Sequence, residues 1–197
     1  MAYIPNTAFE VKVSNHEFDS IANVTGLFRS GDAAEACSAG FLCARGEALP
    51  NEGYSGKDNT NSWIMGAVTA AANQMEPVYA CNTFGVNEVK DPVTGAVYKV
   101  GSNTLGLPIP AGQTGTFTEI QFNNVNVYRF GIGNVSGEIG DKQFFTISSG
   151  LLIPAAAAPA TSLTPYFKLK GTGSFTQGAY QSFQYVEVVA CRTGVAA

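Results

Sequence analysis

The chain has 197 residues, a length that fits one domain with an ample core. Only 13% of its residues are charged, which is about half the share in an average soluble domain, and the formal net charge is -4 with a pI near 4.9. An acidic chain without a stripe of Lys or Arg side chains is a poor partner for a nucleic-acid backbone, so composition excludes that class of function.

No segment has the pattern of a targeting or membrane-spanning signal. The start, MAYIPNTAFEVKV, lacks the basic region and the apolar stretch of a signal peptide, so we expect the protein to be made and kept in a cytoplasm. The longest apolar run, 150–158, is too short and too interrupted by proline to span a bilayer. We therefore expect a soluble protein with no membrane partner.

The first half of the chain predicts an extended arm followed by short strands. Residues 1–7 precede any periodic pattern and predict an arm that is loose unless it is bound. Residues 8–13 alternate apolar and polar side chains, which predicts the first strand. Residues 30–45 predict a turn, with room for one helical turn, before a strand at 40–43. In residues 61–74 a capping Asn or Ser favours a helix, whereas a Gly and β-branched residues oppose it, so helix and strand both stay open.

The rest of the chain predicts strands separated by turns. Residues 91–95 have the composition of a turn that leads into a strand. The predicted strands, which are rich in Phe, Tyr, Val and Thr, are 77–81, 96–100, 115–122, 125–130, 143–147, 166–170 and 182–189. Residues 154–161 are bracketed by prolines, which disfavour a helix and predict an extended loop or an edge segment.

The whole pattern predicts a mainly β fold, an antiparallel β-sandwich or barrel-like domain with at most one or two short helices. Its predicted organisation is an extended N-terminal arm at 1–7 and a single β-rich domain at 8–197. A subdomain inserted or appended around 46–75 stays open as an alternative.

Few residues offer the means for catalysis, so we expect no enzymatic activity. His16 is the only histidine, and no nucleophile elbow such as GxSxG occurs, so a surface turn is the favoured position for this side chain. Two carboxylates that meet in space would suit a hydrolase acting on polysaccharide, which is a minor alternative. The glutamates considered for such a pair are Glu10, Glu17, Glu88, Glu119, Glu138 and Glu187.

The cysteines carry no recognisable metal motif. Cys37, Cys43, Cys81 and Cys191 lack the CxxC spacing of an ordinary zinc site. A cytoplasmic chain of this length does not need disulfides for stability. We therefore expect buried free thiols and no metal, with one disulfide as the alternative.

The glycine clusters and glycosylation sequons do not define a site either. The clusters at 131–133 and 171–173 do not complete GxGxxG, and they predict turns. The sequons at 23–25 and 134–136 carry no chemistry in a chain without a secretory signal. We expect no cofactor.

Several segments resemble small structural proteins encoded near the head genes of tailed bacteriophages. These segments are AYIPNT, CSAGFLCAR, VYACNTFGVNEV with the following DPVTGAVYKVGSNTLGLPIPAG, and VYRFGIGN followed by FFTISSGLLIPAAAAP. They cover most of the chain, which in this respect is similar to capsid decoration, or head cement, proteins. The resemblance implies a mechanical, non-enzymatic role, in which the protein binds the outer surface of a phage capsid and stabilises the head lattice without a cofactor.

The resemblance also implies partners and a location. We expect the major capsid protein of the phage head as the partner, with homo-oligomer formation left open and no nucleic acid bound. The protein would be made in the host bacterial cytoplasm and reside on the exterior of the virion head. An alternative assigns the chain to the phage tail or baseplate, where an exposed Trp63 or Tyr side chains would bind host-surface glycans.

Two extended and weakly charged segments supply candidate contacts with the capsid. The N-terminal arm could add a strand to the edge of a neighbouring sheet, because main-chain hydrogen bonds demand little of the partner's sequence. The proline-bracketed segment at 154–161 is the other candidate, and ordinary surface loops are the alternative for both. The candidate residues are Tyr3, Ile4, Pro5, Asn6, Pro154 and Pro159.

Overall fold

The chain folds into an antiparallel sheet and a small closed barrel, which confirms the mainly β prediction. The computed structural model describes residues 7–13, 22–49, 62–69, 76–82, 88–90, 97–99, 108–161, 163–177 and 181–194. The strands in these ranges are β1 (Phe9–Val13), β2 (Asn23–Ser30), β3 (Ala33–Ala34), β4 (Leu42–Ala48), β5 (Ser62–Ala67), β6 (Val78–Cys81), β7 (Glu88–Lys90), β8 (Val97–Lys99), β9 (Thr114–Ile120), β10 (Val127–Gly131), β11 (Phe144–Ser148), β12 (Leu151–Ala155), β13 (Pro165–Gln177) and β14 (Gln181–Arg192). One short 3-10 helix, Ile132–Asn134, follows β10.

The sheet contains six strands in the order β1-β10-β14-β13-β11-β12, and every neighbouring pair is antiparallel. The alternation of β1 explains its position, because Phe9 joins the core while Glu10 lies opposite Arg129 on the other face. On β10 the same alternation buries Tyr128 and Phe130 and leaves Arg129 half-buried. A two-residue period with one buried face is what a sheet covered on one side requires.

The barrel contains β2, β5, β4, β6 and β9, and it closes because β9 pairs back onto β2. All of its neighbours are antiparallel except β2 and β5, which run parallel. Strand β3 pairs with the last two residues of β2, and β7 pairs with β8 in a separate two-stranded sheet. All five barrel strands lie between β1 and β10 in sequence, so the barrel is an insertion between two adjacent strands of the sheet.

The segment at 61–74, for which helix and strand were both open, contains strand β5. Its backbone pairs with β2 on one side and β4 on the other, so tertiary pairing outweighs the helix-capping signal. The helical turn allowed at 30–45 does not form, because β3 and an isolated bridge between Cys37 and Ile109 occupy that segment. The turn at 91–95 lies outside the described residues.

Two apolar clusters hold the fold together. The first fills the barrel with Phe28, Phe41, Met65, Tyr79 and Phe117, each no more than 3% exposed. The second lies between the inner face of the sheet and the outer face of the barrel wall. Its main members are Phe9, Leu42, Val78, Ala80, Ile120, Tyr128, Phe130, Phe145, Leu152, Phe167, Val186 and Val188. Strands β4, β6 and β9 therefore contribute side chains to two cores, one on each side of the barrel wall.

The turn between β11 and β12 fastens the sheet to the barrel. Ser149 and Gly150 both have positive φ, at 48° and 76°, as a two-residue hairpin turn of the mirror-image type requires. The Gly150 N–H donates to the Val68 carbonyl at 2.9 Å, and the Leu42 N–H donates to the Gly150 carbonyl at 2.9 Å. The ring of Phe41 occupies the space that a Gly150 side chain would take.

The glycine cluster at 171–173 does not form the predicted turn, because it lies within the long strand β13. A register shift between Leu169 and Gly171 absorbs the local irregularity. At Gly173 the ring of Tyr185 from β14 covers the place where a side chain would stand. The cluster at 131–133 does change the chain direction, since it ends β10 and enters the 3-10 helix.

Two features are missing from the part of the chain that the structure describes. No helix there has the length and apolar composition needed to cross a membrane. Nor do three or more His, Cys, Asp or Glu side chains there form a group suited to holding a metal ion.

Candidate functional site

An apolar cleft of about 470 Å³ lies where the barrel wall meets the far end of the sheet. Val78 and Ala44 line it from the barrel, and Ile147, Ile153 and Pro165 line it from the sheet. Its volume is within the range of sites that bind small molecules or a few side chains of a partner. The cleft can therefore bury an apolar group that the protein does not itself supply.

The polar groups of the cleft come from threonine and serine hydroxyls and one carboxylate. Thr69, Thr146, Ser148 and Thr164 contribute the hydroxyls, and Glu76 is the carboxylate among the described lining residues. A few polar groups around an apolar floor can orient a bound group without the general acid and base pair that hydrolysis requires.

The structure places the two predicted proline contacts differently. Pro154 is buried in β12, opposite Phe145, on the outermost strand of the sheet. An edge strand accommodates proline because it needs fewer main-chain N–H donors. Pro159 is half-buried and lines the apolar cleft. Tyr3, Ile4, Pro5 and Asn6 lie outside the described residues, so their contact with a capsid stays a prediction.

Strands β13 and β14 extend beyond their neighbours as a two-stranded ribbon. They pair with each other from Pro165 opposite Arg192 to Gln177 opposite Gln181. Strand β10 pairs with β14 only as far as Tyr185, and β11 pairs with β13 only up to Lys168. We call residues 174–177 with 181–184 the hairpin arm, because within the described ranges these residues pair only with each other. Such open edges are templates for adding another strand.

An ion-pair network lies on the outer face of the sheet. The Arg129 guanidinium donates to Glu187 at 3.0 Å and to Glu10 at 3.1 Å, and its carbon lies 4.6 Å from the Tyr185 ring centroid. Burial opposes the charged form of Arg129, but the hydrogen bonds to Glu187 and Glu10 outweigh it and raise its pKa. Lys170 adds a weaker pair with Glu187 at 3.9 Å. Two of the glutamates considered for hydrolysis thus share one arginine, an arrangement that stabilises three neighbouring strands.

Trp63, the aromatic side chain considered for glycan binding, is half-buried on β5. The guanidinium of Arg45 lies over its ring at 4.3 Å from the centroid. A cation on that face occupies the position that a sugar ring would need for stacking.

The sequon residue Asn134 has a structural role. Its side chain is 1% exposed, donates to the Ala39 carbonyl at 2.8 Å and accepts from the Ala8 N–H at 3.2 Å. This amide therefore joins the first strand of the sheet to the segment before β4 and is inaccessible to a glycan. His16 lies outside the described residues.

Sequence reasoning missed the apolar cleft and the hairpin arm. Five separate elements line the cleft, and no periodic pattern in any one of them marks the meeting point. The arm lies beyond the glycines at 171–173, which predict a turn, so the sequence did not indicate that β13 runs for 13 residues, against 5 for β10 and for β11. Comparison of the chain with protein-family models, curated proteins and solved structures finds no match.

Proposed function

We propose that this chain is a non-enzymatic structural protein of a phage virion, which binds the outer surface of the capsid and stabilises the head lattice. The observation that carries the proposal is the hairpin arm, whose two strands extend past their neighbours and, among the residues that the structure describes, have open main-chain edges. A strand of the major capsid protein can add to such an edge by main-chain hydrogen bonds. The low charge of the chain suits a surface that a partner covers.

The apolar cleft supports the same proposal as a second contact. Pro159 lines the cleft and remains a candidate contact with the capsid. Pro154 is buried, so it would affect capsid binding only by shaping strand β12 at the edge of the sheet. An apolar side chain of the capsid that enters the cleft would contribute about 25 cal/mol for each Å² of apolar surface removed from water.

Stabilisation of the head follows from mass action. A protein that binds the assembled lattice, but not its separated subunits, lowers the free energy of the assembled state. One copy of the chain could bind one capsomer through the arm and a neighbouring capsomer through the cleft, or an oligomer of the chain could bind several capsomers. Either arrangement would raise the overall affinity roughly 10²–10⁴-fold over the affinity of a single contact. Each contact can then be weak while the lattice is held firmly.

The test is co-sedimentation of the purified protein with heads of the encoding phage that have been stripped of it, followed by electron microscopy. We expect saturable binding at regular lattice positions on the head exterior. Absence of head binding, with binding to tails or host-surface glycans, would overturn the proposal in favour of a tail or baseplate protein.

A shortened variant tests the role of the arm. Residues 174–184 are replaced by an Asn-Gly turn that joins Gly173 to Tyr185, and Lys142→Gln on an exposed turn is the control. We expect the shortened protein to keep its urea midpoint and lose at least tenfold in affinity for heads, while the control binds normally. A shortened protein that folds and binds heads normally would show that the arm is not the contact.

A further inference from the structure

Three of the four cysteines meet inside the barrel, and we call Cys37, Cys43 and Cys81 the thiol cluster. Cys43 lies on β4, and Cys81 ends β6, the strand that pairs with β4. Cys37 approaches from outside the barrel strands, on the segment that forms an isolated bridge with Ile109. All three side chains are fully buried, and all are free thiols.

The contacts within the cluster converge on Cys37. Cys37, Cys43 and Cys81 belong to the same buried cluster, and both of the other thiols interact with the Cys37 thiol. The Cys81 thiol also lies 3.5 Å from the Cys37 carbonyl oxygen, which keeps its side chain beside the Cys37 backbone. Cys37 is thus the member of the cluster that interacts with both of the other thiols.

The same contacts divide the chemistry between the thiols. Burial works against the thiolate of Cys37, but the hydrogen bonds from Cys43 and Cys81 outweigh it and lower its pKa. Burial, followed by the interaction with Cys37, raises the pKa of Cys43 and of Cys81. The contacts therefore favour the thiolate form at Cys37 over the thiolate form at Cys43 or Cys81. This suits Cys37 to the role of attacking thiol and its two neighbours to the role of resolving partners.

We propose that the thiol cluster is an oxidation site, in which Cys37 forms an intramolecular disulfide with Cys43 or Cys81. The oxidant is a peroxide, and hydrogen peroxide is small and uncharged enough to reach a buried sulfur during local opening. This inference is independent of the proposed virion role.

The reaction balances in two steps. The Cys37 thiolate attacks one peroxide oxygen, the O–O bond breaks, and the released hydroxide takes up a proton to give water and a sulfenic acid on Cys37. The thiol of Cys43 or Cys81 then attacks the Cys37 sulfur, the S–O bond breaks, and the second water leaves with the thiol proton. Two thiols are oxidised to one disulfide, and one hydrogen peroxide is reduced to two waters.

The disulfide would tie the segment before β4 to a barrel strand. In a reducing cytoplasm the thiols stay free, and outside the cell an oxidising medium favours the bond. The cross-link would raise the resistance of the barrel to unfolding, because it restricts the unfolded chain.

The test maps thiols in the full-length protein after treatment with hydrogen peroxide. The reduced protein, at low protein concentration, is treated with hydrogen peroxide, and catalase then removes the peroxide. The protein is unfolded in denaturant that contains N-ethylmaleimide, which alkylates the remaining thiols, and is digested without reductant for mass spectrometry. We expect loss of two of the four thiols, one disulfide peptide containing Cys37, and a monomer on a non-reducing gel. Four alkylated cysteines, a disulfide without Cys37, a disulfide between chains, or Cys37 oxidised without a partner would each overturn the proposal.

Two variants sharpen the test. Cys37→Ser should abolish disulfide formation, whereas the matched control Cys191→Ser, at the other buried cysteine, should lose two of its three remaining thiols as the wild type does. Since a serine in the barrel could prevent folding, the mapping on the wild type decides the proposal without either variant. Disulfide formation that persists in a folded Cys37→Ser protein would contradict the central role of Cys37.

Discussion

Replacing Gly150 with Ala should destabilise the protein by about 3 kcal/mol. The backbone at Gly150 has φ of +76°, where an L side chain costs about 1 kcal/mol. A Cβ there would lie 2.2 Å from Cζ and 2.4 Å from Cε1 of Phe41. Because Phe41 is fully buried in the barrel, its ring cannot move into solvent, and such overpacking costs roughly 1–3 kcal/mol more.

Gly112 supplies a matched control for the backbone contribution. Its φ is +78°, and a Cβ built there meets nothing within 4 Å. Gly112→Ala should therefore cost only the backbone contribution, about 1 kcal/mol. The difference of about 2 kcal/mol between the two variants isolates the contact with Phe41.

The assay is urea unfolding at pH 7 followed by fluorescence of Trp63, the only tryptophan. With a slope of about 2 kcal/mol/M, Gly150→Ala should lower the midpoint by about 1.5 M and Gly112→Ala by about 0.5 M. A Phe41→Leu, Gly150→Ala double variant replaces the ring with a smaller side chain. Its loss of unfolding free energy should be smaller than the sum of the losses of the two single variants. Equal midpoints for the two alanine variants would refute the argument that this turn is packed against the barrel core.

Two further substitutions test the contacts of single polar side chains. Arg129→Gln should lower the free energy of unfolding in urea by about 2 kcal/mol, because two charged hydrogen bonds are lost at a side chain that is only 16% exposed. Lys12→Gln, at an exposed lysine, serves as the control. Equal losses in these two variants would contradict a structural role for the network. Asn134→Ala should cost roughly 2–3 kcal/mol, because it leaves the Ala8 N–H and the Ala39 carbonyl unpaired in the core. Hydrogen exchange at the Ala8 amide should then accelerate at least tenfold, and an unchanged rate would show that this hydrogen bond does not hold the first strand.

The sequence predicts strands best where one face is buried and the other is not. Strands β1 and β10 alternate clearly, because their inner residues enter the core between sheet and barrel while residues such as Glu10 and Arg129 remain on the outer face. Strand β2 escaped prediction, since a central glycine interrupts its pattern. That glycine, Gly26, leaves room for the Met65 side chain, a reason that exists only in the folded barrel.

The candidate site was harder to predict than the strands. The extended segment at 154–161 indicates Pro159, which does line the cleft. The opposing wall comes from barrel residues such as Ala44 and Val78, which are distant from it in sequence. The thiol cluster has the same origin, because its members converge only when β4 and β6 pair. Local patterns determine elements, whereas sites depend on which elements become neighbours.

The insertion of the barrel between β1 and β10 has a consequence for synthesis on the ribosome. The barrel strands have all been translated once Ile120 has been added to the chain, whereas most of the sheet has yet to be made. At 5–20 residues per second, residues 121–197 take on the order of 4–15 s to translate. During that interval the apolar outer wall of the barrel, including Leu42 and Ala80, faces water, and β1 lacks β10, the strand with which it pairs. We therefore expect the yield of folded protein to respond more strongly to translation speed after residue 120 than before it.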